Sequence, residues 1–490
     1  MKRLILNITF LLLAFNSVAQ QKIVVGAKHF NEGYILSEII SQLLEQEGFT
    51  VERKFNLGGT SVAFEALRTK QIDVYPEYSG TISSEILKHT ERISLDSIKS
   101  ELEKKYSLAA SRPFGFNNTY AVVVNAVTAE KYSLSKISDL ALQKNLSGAI
   151  SYEFLERQDG WKNLAAAYGI TNSVKGIEHG LAYTALNSNK IDFTDAYSTD
   201  GEIKKYNLRV LQDDKHFFPD YAALGFYSSS LPDKAKLAID KLGNLITENE
   251  MQEMNALALY AQKDFSIIAN DFLNKKGLTK VAKKQTSGYW GDLLKHLSQH
   301  LFLTFLSVFI AVIIALPLGL FLYRRKLLLK PVLYLTGILQ TIPSIALLAL
   351  LIPLLGIGSK PAILALCIYA LLPILRSTIT GLETVDPQLK NVATAIGLNQ
   401  KQKLRLVELP LALPTILSGI RIASVINVGT ATLAAFIGAG GLGEYIVTGL
   451  ALNNTELILK GAIPAAVLAV VIELLFELIT KLLTKKTNYK

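Results

Sequence analysis

Three glycines near the end of the chain have the spacing of a nucleotide-binding loop. The stretch FIGAGGLGEYI (436–446) places Gly438, Gly440 and Gly443 in the pattern G-x-G-x-x-G. This pattern binds a dinucleotide only between a strand and a helix of a βαβ unit, with an acidic residue about 20 residues further on. Here it closes an uncharged run, and no βαβ pattern surrounds it. The glycines are expected instead to let the chain turn or pack closely where side chains would obstruct it.

Other catalytic signatures are absent from the sequence. It contains no G-x-x-x-x-G-K-[ST] loop for ATP, no H-E-x-x-H and no G-x-S-x-G. The single cysteine, Cys367, lies in an apolar run, so neither a disulfide within the chain nor a cysteine metal cluster can form. We therefore expect no catalytic residues, no metal site and no cofactor in this chain. Any ATP must be hydrolysed by a separate subunit.

Tyrosines are frequent in the first half of the chain, and four of them occupy turn-like positions. The elements around them alternate between short β-branched runs, such as KIVVGA (22–27) and IDVY (72–75), and stretches with helical spacing. This alternation predicts an α/β domain with a mostly parallel sheet that binds ligands at the strand ends. We expect TYAVVV (119–124) and GFYSS (225–229) to cross between two lobes. The four tyrosines are Tyr78 in YPEYSGT, Tyr120 in GFNNTY, Tyr197 in DAYSTD and Tyr221 in FFPDY.

The first 19 residues have the pattern of a secretory signal peptide. Lys2 and Arg3 precede an apolar stretch, and small residues at 17–19 predict cleavage after Ala19. An uncleaved anchor is the alternative, and in both cases the residues that follow are exported. We expect an extracytoplasmic binding domain at 20–275 and a polar, lysine-rich linker at 276–292.

The last part of the chain, 293–490, has the composition of a membrane domain. From position 296 onward it has 16 Lys and Arg against 7 Asp and Glu, whereas the whole chain has 51 and 41. A basic excess confined to an apolar half indicates membrane orientation and argues against nucleic-acid binding. The cationic loops place the binding domain on the extracytoplasmic side. About five spans are expected, at Leu301–Tyr323, Pro331–Ser359, Pro361–Leu375, Ile422–Gly443 and Gly461–Thr480.

Seven segments of the first half resemble the binding proteins of the glycine betaine/choline/carnitine ABC importers. The resemblance implies a two-lobed, type II-like periplasmic-binding-protein fold and an aromatic box around a quaternary ammonium. A trimethylammonium group cannot donate hydrogen bonds, so ring faces suit it, at ~0.5–2 kcal/mol for each contact. The box residues implied are Tyr78, Tyr120, Tyr197 and Tyr221. The segments are VVGAKHFNEGYILSEI, LGGTSVAFEAL, IDVYPEYSGT, GFNNTYAVVV, FLERQDGW, DAYSTDGEI and DDKHFFPDY.

The same resemblance implies polar contacts to the ligand. Arg157 and Thr81 match residues that hold the ligand's carboxylate, and an arginine can grip it with two parallel bonds. Lys28 matches a lysine used by some members, although a solvated strand end is an equal alternative. Asn118 stands where some members have an aspartate beside the cation. Gly33 replaces a glutamine of the family, which removes a side-chain contact and leaves open which betaine binds.

The membrane half resembles the permease of the same importers, an all-α fold of the type I-like class. Its segment 391–414, NVATAIGLNQKQKLRLVELPLALP, resembles the cytoplasmic loop that docks on the ATPase. The positions carried over are Asn391, Ala393, Gly397, Leu409 and Pro410; Asn391 replaces the usual glutamate. A basic loop that only orients the spans is the alternative.

These features predict a receptor fused to a permease in the cytoplasmic membrane. The expected partners are an ABC ATPase subunit, a second copy of this chain, the lipid bilayer and a small quaternary amine, with osmoprotection as the purpose. The alternatives are an importer for another betaine such as ergothioneine, or a membrane-anchored betaine sensor.

Overall fold

The computed structural model describes residues 21–89, 91, 93–279, 289–451 and 454–485. The expected signal peptide at 1–19 lies outside the described residues, as does 280–288 in the expected linker. The chain divides into two compact units, one of 1–55 with 66–284 and the other of 56–65 with 285–490.

Ten strands form two five-stranded sheets in the described α/β part of the chain. One sheet has the order β2-β1-β3-β10-β4 and the other the order β7-β6-β8-β5-β9, so both share one topology. Each sheet is mixed, because β10 and β5 run antiparallel to their neighbours. The strands are β1 (Lys22–Gly26), β2 (Thr50–Lys54), β3 (Val74–Tyr78), β4 (Leu108–Ala110), β5 (Tyr120–Asn125), β6 (Gly148–Ser151), β7 (Val174–Ile177), β8 (Phe193–Tyr197), β9 (Leu208–Leu211) and β10 (Ala223–Ser228).

The chain crosses between the sheets twice, after β4 and after β9. The segments TYAVVV and GFYSS, expected as the crossings, are instead the strands β5 and β10 that follow them. Both strands are almost wholly buried, which explains their apolar, β-branched and aromatic composition. The crossings themselves are joined by a β-bridge between Asn117 and Ala222.

Helices cover the sheets, and their apolar faces supply much of the core. The most buried is Asn31–Gln46, in which all residues from Glu32 to Leu44 are buried. The other helices of this part are Thr60–Arg68, Ser79–Thr81, Ile82–Ile86, Leu95–Tyr106, Ala126–Tyr132, Ile137–Leu140, Tyr152–Glu156, Trp161–Tyr168, His179–Asn187, Gly201–Lys205, Asp233–Asp240, Glu248–Tyr260 and Phe265–Lys275.

The described residues of the membrane part form helices joined by short turns, with no strand among them. Four helices, Trp290–Arg324, Ser359–Glu383, Gln400–Ile437 and Thr455–Leu483, are long and apolar enough to cross a bilayer. A fifth span is possible if the pair Lys326–Thr341 and Ser344–Leu355, bent by 96°, counts as one. The remaining elements are Pro387–Ala395 and Gly443–Ala451, while Gln400–Ile437 comprises Gln400–Lys403, Leu404–Glu408, Leu409–Ala431 and Thr432–Ile437.

The expected count of about five spans agrees with this architecture, but several boundaries differ. The stretch Pro331–Ser359 is broken at Pro343, because proline cannot donate the helical backbone bond. The next span continues past Arg376 to Glu383, so this arginine lies inside a candidate span. Small residues then let the helices approach: an added Cβ at Gly419 would lie 2.4 Å from the Ser377 Cβ.

Candidate ligand-binding site and coupling segment

The four candidate tyrosines lie at strand ends and at a crossing. Tyr78 ends β3, Tyr120 begins β5, Tyr197 ends β8, and Tyr221 lies in the crossing before β10. The Tyr120 ring centroid is 4.9 Å from that of Tyr197 and 5.8 Å from that of Tyr221. The structure thus brings these three rings together, although they are up to 101 positions apart in the sequence.

Phe30 connects the fourth tyrosine to this group. Its ring centroid is 6.2 Å from that of Tyr78 and 6.0 Å from that of Tyr197. An added Cβ at Gly33 would lie 2.9 Å from the Phe30 Cε1 atom, so the missing side chain leaves room for this ring. Sequence reasoning noted the substitution at Gly33 but missed Phe30; the only available signal was its place three residues before that glycine.

Tyr120 is packed between an aromatic ring and a guanidinium. Phe154 stacks on it with centroids 4.5 Å apart, and the Arg157 Cζ atom lies 5.0 Å from the Tyr120 centroid. Burial raises the pKa of Tyr120 well above its usual value, and the same holds for Tyr78, Tyr197 and Tyr221. All four phenols are therefore neutral, and they present rings and hydroxyls rather than phenolate charge.

Arg157 is held by an aspartate that sequence reasoning did not identify. Its Nε and Nη2 atoms donate to the two carboxylate oxygens of Asp159, each at 2.6 Å, and Nη2 lies 3.4 Å from the Thr81 hydroxyl. Asp159 also accepts hydrogen bonds from Ser84, at 2.8 Å, and from the Tyr221 hydroxyl. Burial opposes ionisation, but the adjacent guanidinium outweighs it and holds the pKa of Asp159 below its usual value. Arg157 and Thr81 thus lie together, and the guanidinium is already paired with Asp159 on its Nε and Nη2 edge, while its Nη1 atom lies 3.6 Å from the Glu153 carboxylate.

Glu32 is a fully buried carboxylate that joins several elements near the rings. One oxygen accepts from the Tyr78 hydroxyl at 2.5 Å and from the Asn118 amide at 2.9 Å. The other accepts from the Thr199 hydroxyl at 2.6 Å and the Asn255 amide at 3.0 Å. Burial raises the pKa of Glu32, and the bonds from Thr199, Tyr78 and Asn255 oppose that rise.

The two remaining polar candidates have different surroundings. Lys28 is buried, and its Nζ atom donates to the Glu77 carboxylate at 2.7 Å, so this cation already has a partner. Asn118 donates to Glu32, while its Oδ1 atom has no partner among the described residues. Of the two, Asn118 retains an acceptor that a ligand could use.

A half-buried histidine, His179, lies beside the Tyr197 ring. The His179 ring centroid is 4.6 Å from that of Tyr197, and its Nε2 atom lies 3.0 Å from the Asp200 carboxylate. Burial disfavours the charged ring, but Asp200 and Asp195 outweigh it and raise the pKa of His179 well above its usual value. The ring is therefore an imidazolium at neutral pH.

The segment expected to couple to an ATPase is a helical hairpin. Helix Pro387–Ala395 ends before Gly397, whose φ of +85° turns the chain, and Asn399 caps the next helix by accepting from two backbone amides. Ala393 is buried and Asn391 exposed, whereas Leu409 and Pro410 begin Leu409–Ala431. Three apolar side chains are exposed here, at 57% for Val392, 70% for Ile396 and 60% for Leu406.

The glycine-rich stretch lies between two helical elements, with no strand in the described part of this unit. Gly438, Gly440 and Gly441 have φ of +70°, +75° and +84°, which favours glycine. An added Cβ at Gly443 would lie 1.9 Å from the Thr432 carbonyl oxygen. The spacing therefore serves a tight turn and a close backbone approach, as the sequence indicated.

Comparison with known proteins gives two family matches that together span most of the chain. Residues 21–275 match the family described as the substrate binding domain of ABC-type glycine betaine transport systems. Residues 289–489 match the inner membrane component of binding-protein-dependent transport systems.

Individual relatives cover one half or the other. A carnitine transport binding protein of Listeria monocytogenes is 36% identical over 51% of this chain and 85% of its own length. A glycine betaine/carnitine/choline transport system permease protein of Bacillus subtilis is 46% identical over 38% of this chain and 84% of its own. The ergothioneine transport permease/ergothioneine binding protein of Helicobacter pylori is 35% identical over 54% of this chain, but the match spans only 49% of that relative. A crystal structure titled glycine betaine/carnitine/choline ABC transporter matches 52% of this chain and 99% of its own, at 32% identity and a TM-score of 0.46.

Proposed function

The chain belongs to the ABC importers of the glycine betaine class, with a substrate-binding domain and a permease in one chain, and we propose that it carries a quaternary ammonium compatible solute across the cytoplasmic membrane for osmoprotection. The ring group of the first unit carries this proposal. Rings from β3, β5, β8 and a crossing, together with Phe30, converge beside a buried arginine. Aromatic faces and an arginine suit the two ends of a betaine.

The electrostatics favour one orientation of the ligand. Arg157 already lies over Tyr120, so a second cation at that ring would be repelled. The Lys28 Nζ atom also lies 5.4 Å from the Phe30 and Tyr78 ring centroids, but it is paired with Glu77 at 2.7 Å, and the Glu32 carboxylate adds negative charge beside Tyr78. We therefore propose that the trimethylammonium lies among Tyr78, Phe30 and Tyr197, and the carboxylate towards Arg157 and Thr81. The free Oδ1 atom of Asn118 adds partial negative charge for the cation.

The proposed machinery requires partners. The sequence has no P-loop, so a separate ATPase would supply the energy, and the exposed apolar side chains Val392, Ile396 and Leu406 offer it a docking surface. Four or five spans are few for enclosing a path, so we propose that two copies of the chain pair. The binding domain is assigned to the extracytoplasmic side, because the signal peptide and the cationic loops both point there.

A larger betaine is the second candidate, because a relative is named for ergothioneine transport. Titration calorimetry of the full chain in nanodiscs with glycine betaine, carnitine, choline and ergothioneine separates these ligands. Replacing one ring, Tyr197→Leu, is expected to weaken binding by about 2- to 30-fold, the range that one cation–π contact supplies.

Tyr132→Leu, outside the ring group, serves as the matched control and is expected to bind like the wild type. The proposal fails if the wild type binds none of the four compounds, or if Tyr197→Leu binds as well as the control. Uptake into proteoliposomes with and without the ATPase then separates an importer from a sensor, because a sensor would move no ligand in either case.

A further inference from the structure

The membrane unit contains a groove at the break between Lys326–Thr341 and Ser344–Leu355. Its volume is about 830 Å³, which is within the range of roughly 300–1,000 Å³ typical of small-molecule sites. The lining comes from both halves of the broken helix, from Ser359–Glu383 and from Leu409–Ala431. Its polar lining side chains include Tyr334, Gln340, Thr341, Tyr369, Arg376 and Thr430.

Arg376 is the unusual member of this lining. It lies seven residues before the end of Ser359–Glu383, about 10 Å along the helix, and is therefore inside a candidate span. No carboxylate lies within 4.0 Å of the Arg376 guanidinium in the described part of the chain. By contrast Arg421, which also lies within a candidate span, pairs with Glu473 at 3.2 Å. An ionisable side chain inside a span is costly towards lipid and marks a water-filled path or a site.

Two tyrosines and the helix break supply groups that suit a cation, in contrast to the positive charge of Arg376. Tyr369 is buried, and its hydroxyl donates to the Ile342 carbonyl at the break, which fixes its ring beside the groove. Tyr334 is 70% exposed and lines the same groove. The carbonyl end of Lys326–Thr341 adds partial negative charge, and broken helices place such ends at substrate sites.

On the basis of the function proposed above, we propose that this groove is a second, weak substrate site in the permease for zwitterionic quaternary ammonium carboxylates. Arg376 holds the carboxylate, while the Tyr334 ring and the carbonyl end of the broken helix hold the trimethylammonium. The second copy of the chain would cover the open side of the groove. The site would thus receive the ligand after the binding domain releases it.

The site predicts a selectivity that a merely orienting charge would not give. Choline has the trimethylammonium but no carboxylate, so its passage does not use Arg376. In proteoliposomes of the full chain with its ATPase, Arg376→Gln is expected to lower the maximal uptake rate of glycine betaine and carnitine by roughly tenfold or more, the effect of losing a charged hydrogen bond. Choline uptake is expected to change less than about threefold on the same grounds. The dissociation constants of the binding domain stay unchanged.

Two further variants complete this experiment. Arg325→Gln removes an exposed cation outside the groove and is expected to match the wild type. Arg376→Lys keeps the charge but loses the two-bond fork, so its carboxylate uptake is expected to fall between those of the wild type and Arg376→Gln. Arg376→Lys also replaces Arg376→Gln as the test variant if Arg376→Gln fails to reach the membrane.

A binding readout independent of transport uses the single native cysteine. In the full chain with Cys367→Ala and the binding site weakened by Tyr197→Leu, Thr341→Cys places one thiol at the groove. Millimolar carnitine is expected to slow its reaction with a maleimide, and Arg376→Gln is expected to abolish this protection.

The outcomes are distinct. If the wild type neither binds nor imports any betaine, the proposed function fails. If the wild type imports betaines but Arg376→Gln lowers carnitine and choline uptake equally, the second site is refuted. An equal loss that depends on anionic lipid in the vesicles would identify Arg376 as a contact to lipid phosphate, and it refutes the site as well. Absence of carnitine protection at Thr341→Cys also overturns it.

Discussion

Replacing Glu32 by glutamine tests whether the buried carboxylate ties the binding domain together around its ligand. The change keeps the size of the side chain and turns one acceptor oxygen into an NH₂ donor. Each oxygen of Glu32 accepts from one hydroxyl and one asparagine amide, the latter from Asn118 or Asn255. A hydroxyl can rotate to accept a hydrogen bond, but an amide nitrogen cannot. Whichever oxygen is replaced, one buried amide donor therefore loses its acceptor.

The expected cost follows from this count. An unsatisfied buried donor costs about 1–3 kcal/mol. Thr199 follows β8 of one sheet and Tyr78 ends β3 of the other, so Glu32 connects both lobes. If the whole cost falls on the bound form, betaine affinity decreases by about 5- to 150-fold. We expect the free energy of unfolding to fall within the same range.

Calorimetric titration and thermal unfolding of the full chain in nanodiscs measure both quantities. Glu52→Gln is the matched control, because Glu52 pairs with Lys22 on the surface and exposed pairs contribute about 0–1 kcal/mol. If Glu32→Gln binds and unfolds like Glu52→Gln, the four-bond network does not stabilise the ligand-binding form and the reasoning is wrong.

Three further predictions concern the histidine and two glycines. Gly443→Ala is expected to lower the free energy of unfolding by about 1–3 kcal/mol, since its Cβ would clash with the Thr432 carbonyl. Gly429→Ala is the control, because an added Cβ there would have nothing within 4 Å, and thermal unfolding in detergent compares the two variants. Because the pKa of His179 is raised in the folded state, its protonation stabilises the fold below pH 6.5, and this stabilisation is lost as the pH rises through the raised pKa. The difference in the free energy of unfolding between the wild type and His179→Gln should therefore shrink above pH 6.5, and a constant difference would contradict this prediction. Gly33→Ala should displace the neighbouring phenylalanine ring and weaken betaine binding about 2- to 10-fold in calorimetry, while unchanged affinity would remove that ring from the site.

The α/β class of the first half and the helical class of the second followed from the sequence because their signals are local, but the expectation of mostly parallel sheets was wrong, since both sheets are mixed. Strand and helix alternation, an uncharged run of 23 residues at 301–323 and the cationic loops all act over short distances. The sequence shows that Pro343 lacks a backbone donor, but it does not show the 96° bend between the helices on either side of it. Boundaries such as the continuation of a span past Arg376 depend on neighbouring helices.

The candidate site likewise contains residues that the sequence predicted and residues that only the structure identified. The four tyrosines and Arg157 were reached through motifs that a family resemblance supplied, and their roles remain predictions. Asp159 lies two residues from Arg157, yet its bonds to Ser84 and Tyr221 join elements 62 or more positions apart. Glu32 similarly meets Asn255 across 223 positions. Such partners depend on the tertiary fold, and no local sequence pattern predicts them.

The two crossings between the sheets have a consequence for how affinity can be adjusted. Asn118 and Tyr221 belong to these crossings, and the backbone N–H of Asn118 donates to the backbone carbonyl of Tyr221 at 3.0 Å. Residues that we propose to contact the ligand therefore also belong to the two segments that connect the lobes. For a protein with a minor binding-competent population, the apparent dissociation constant equals the intrinsic one divided by that population. A substitution in either crossing will shift both factors at once, so ligand selectivity and the equilibrium between open and closed receptors are expected to change together.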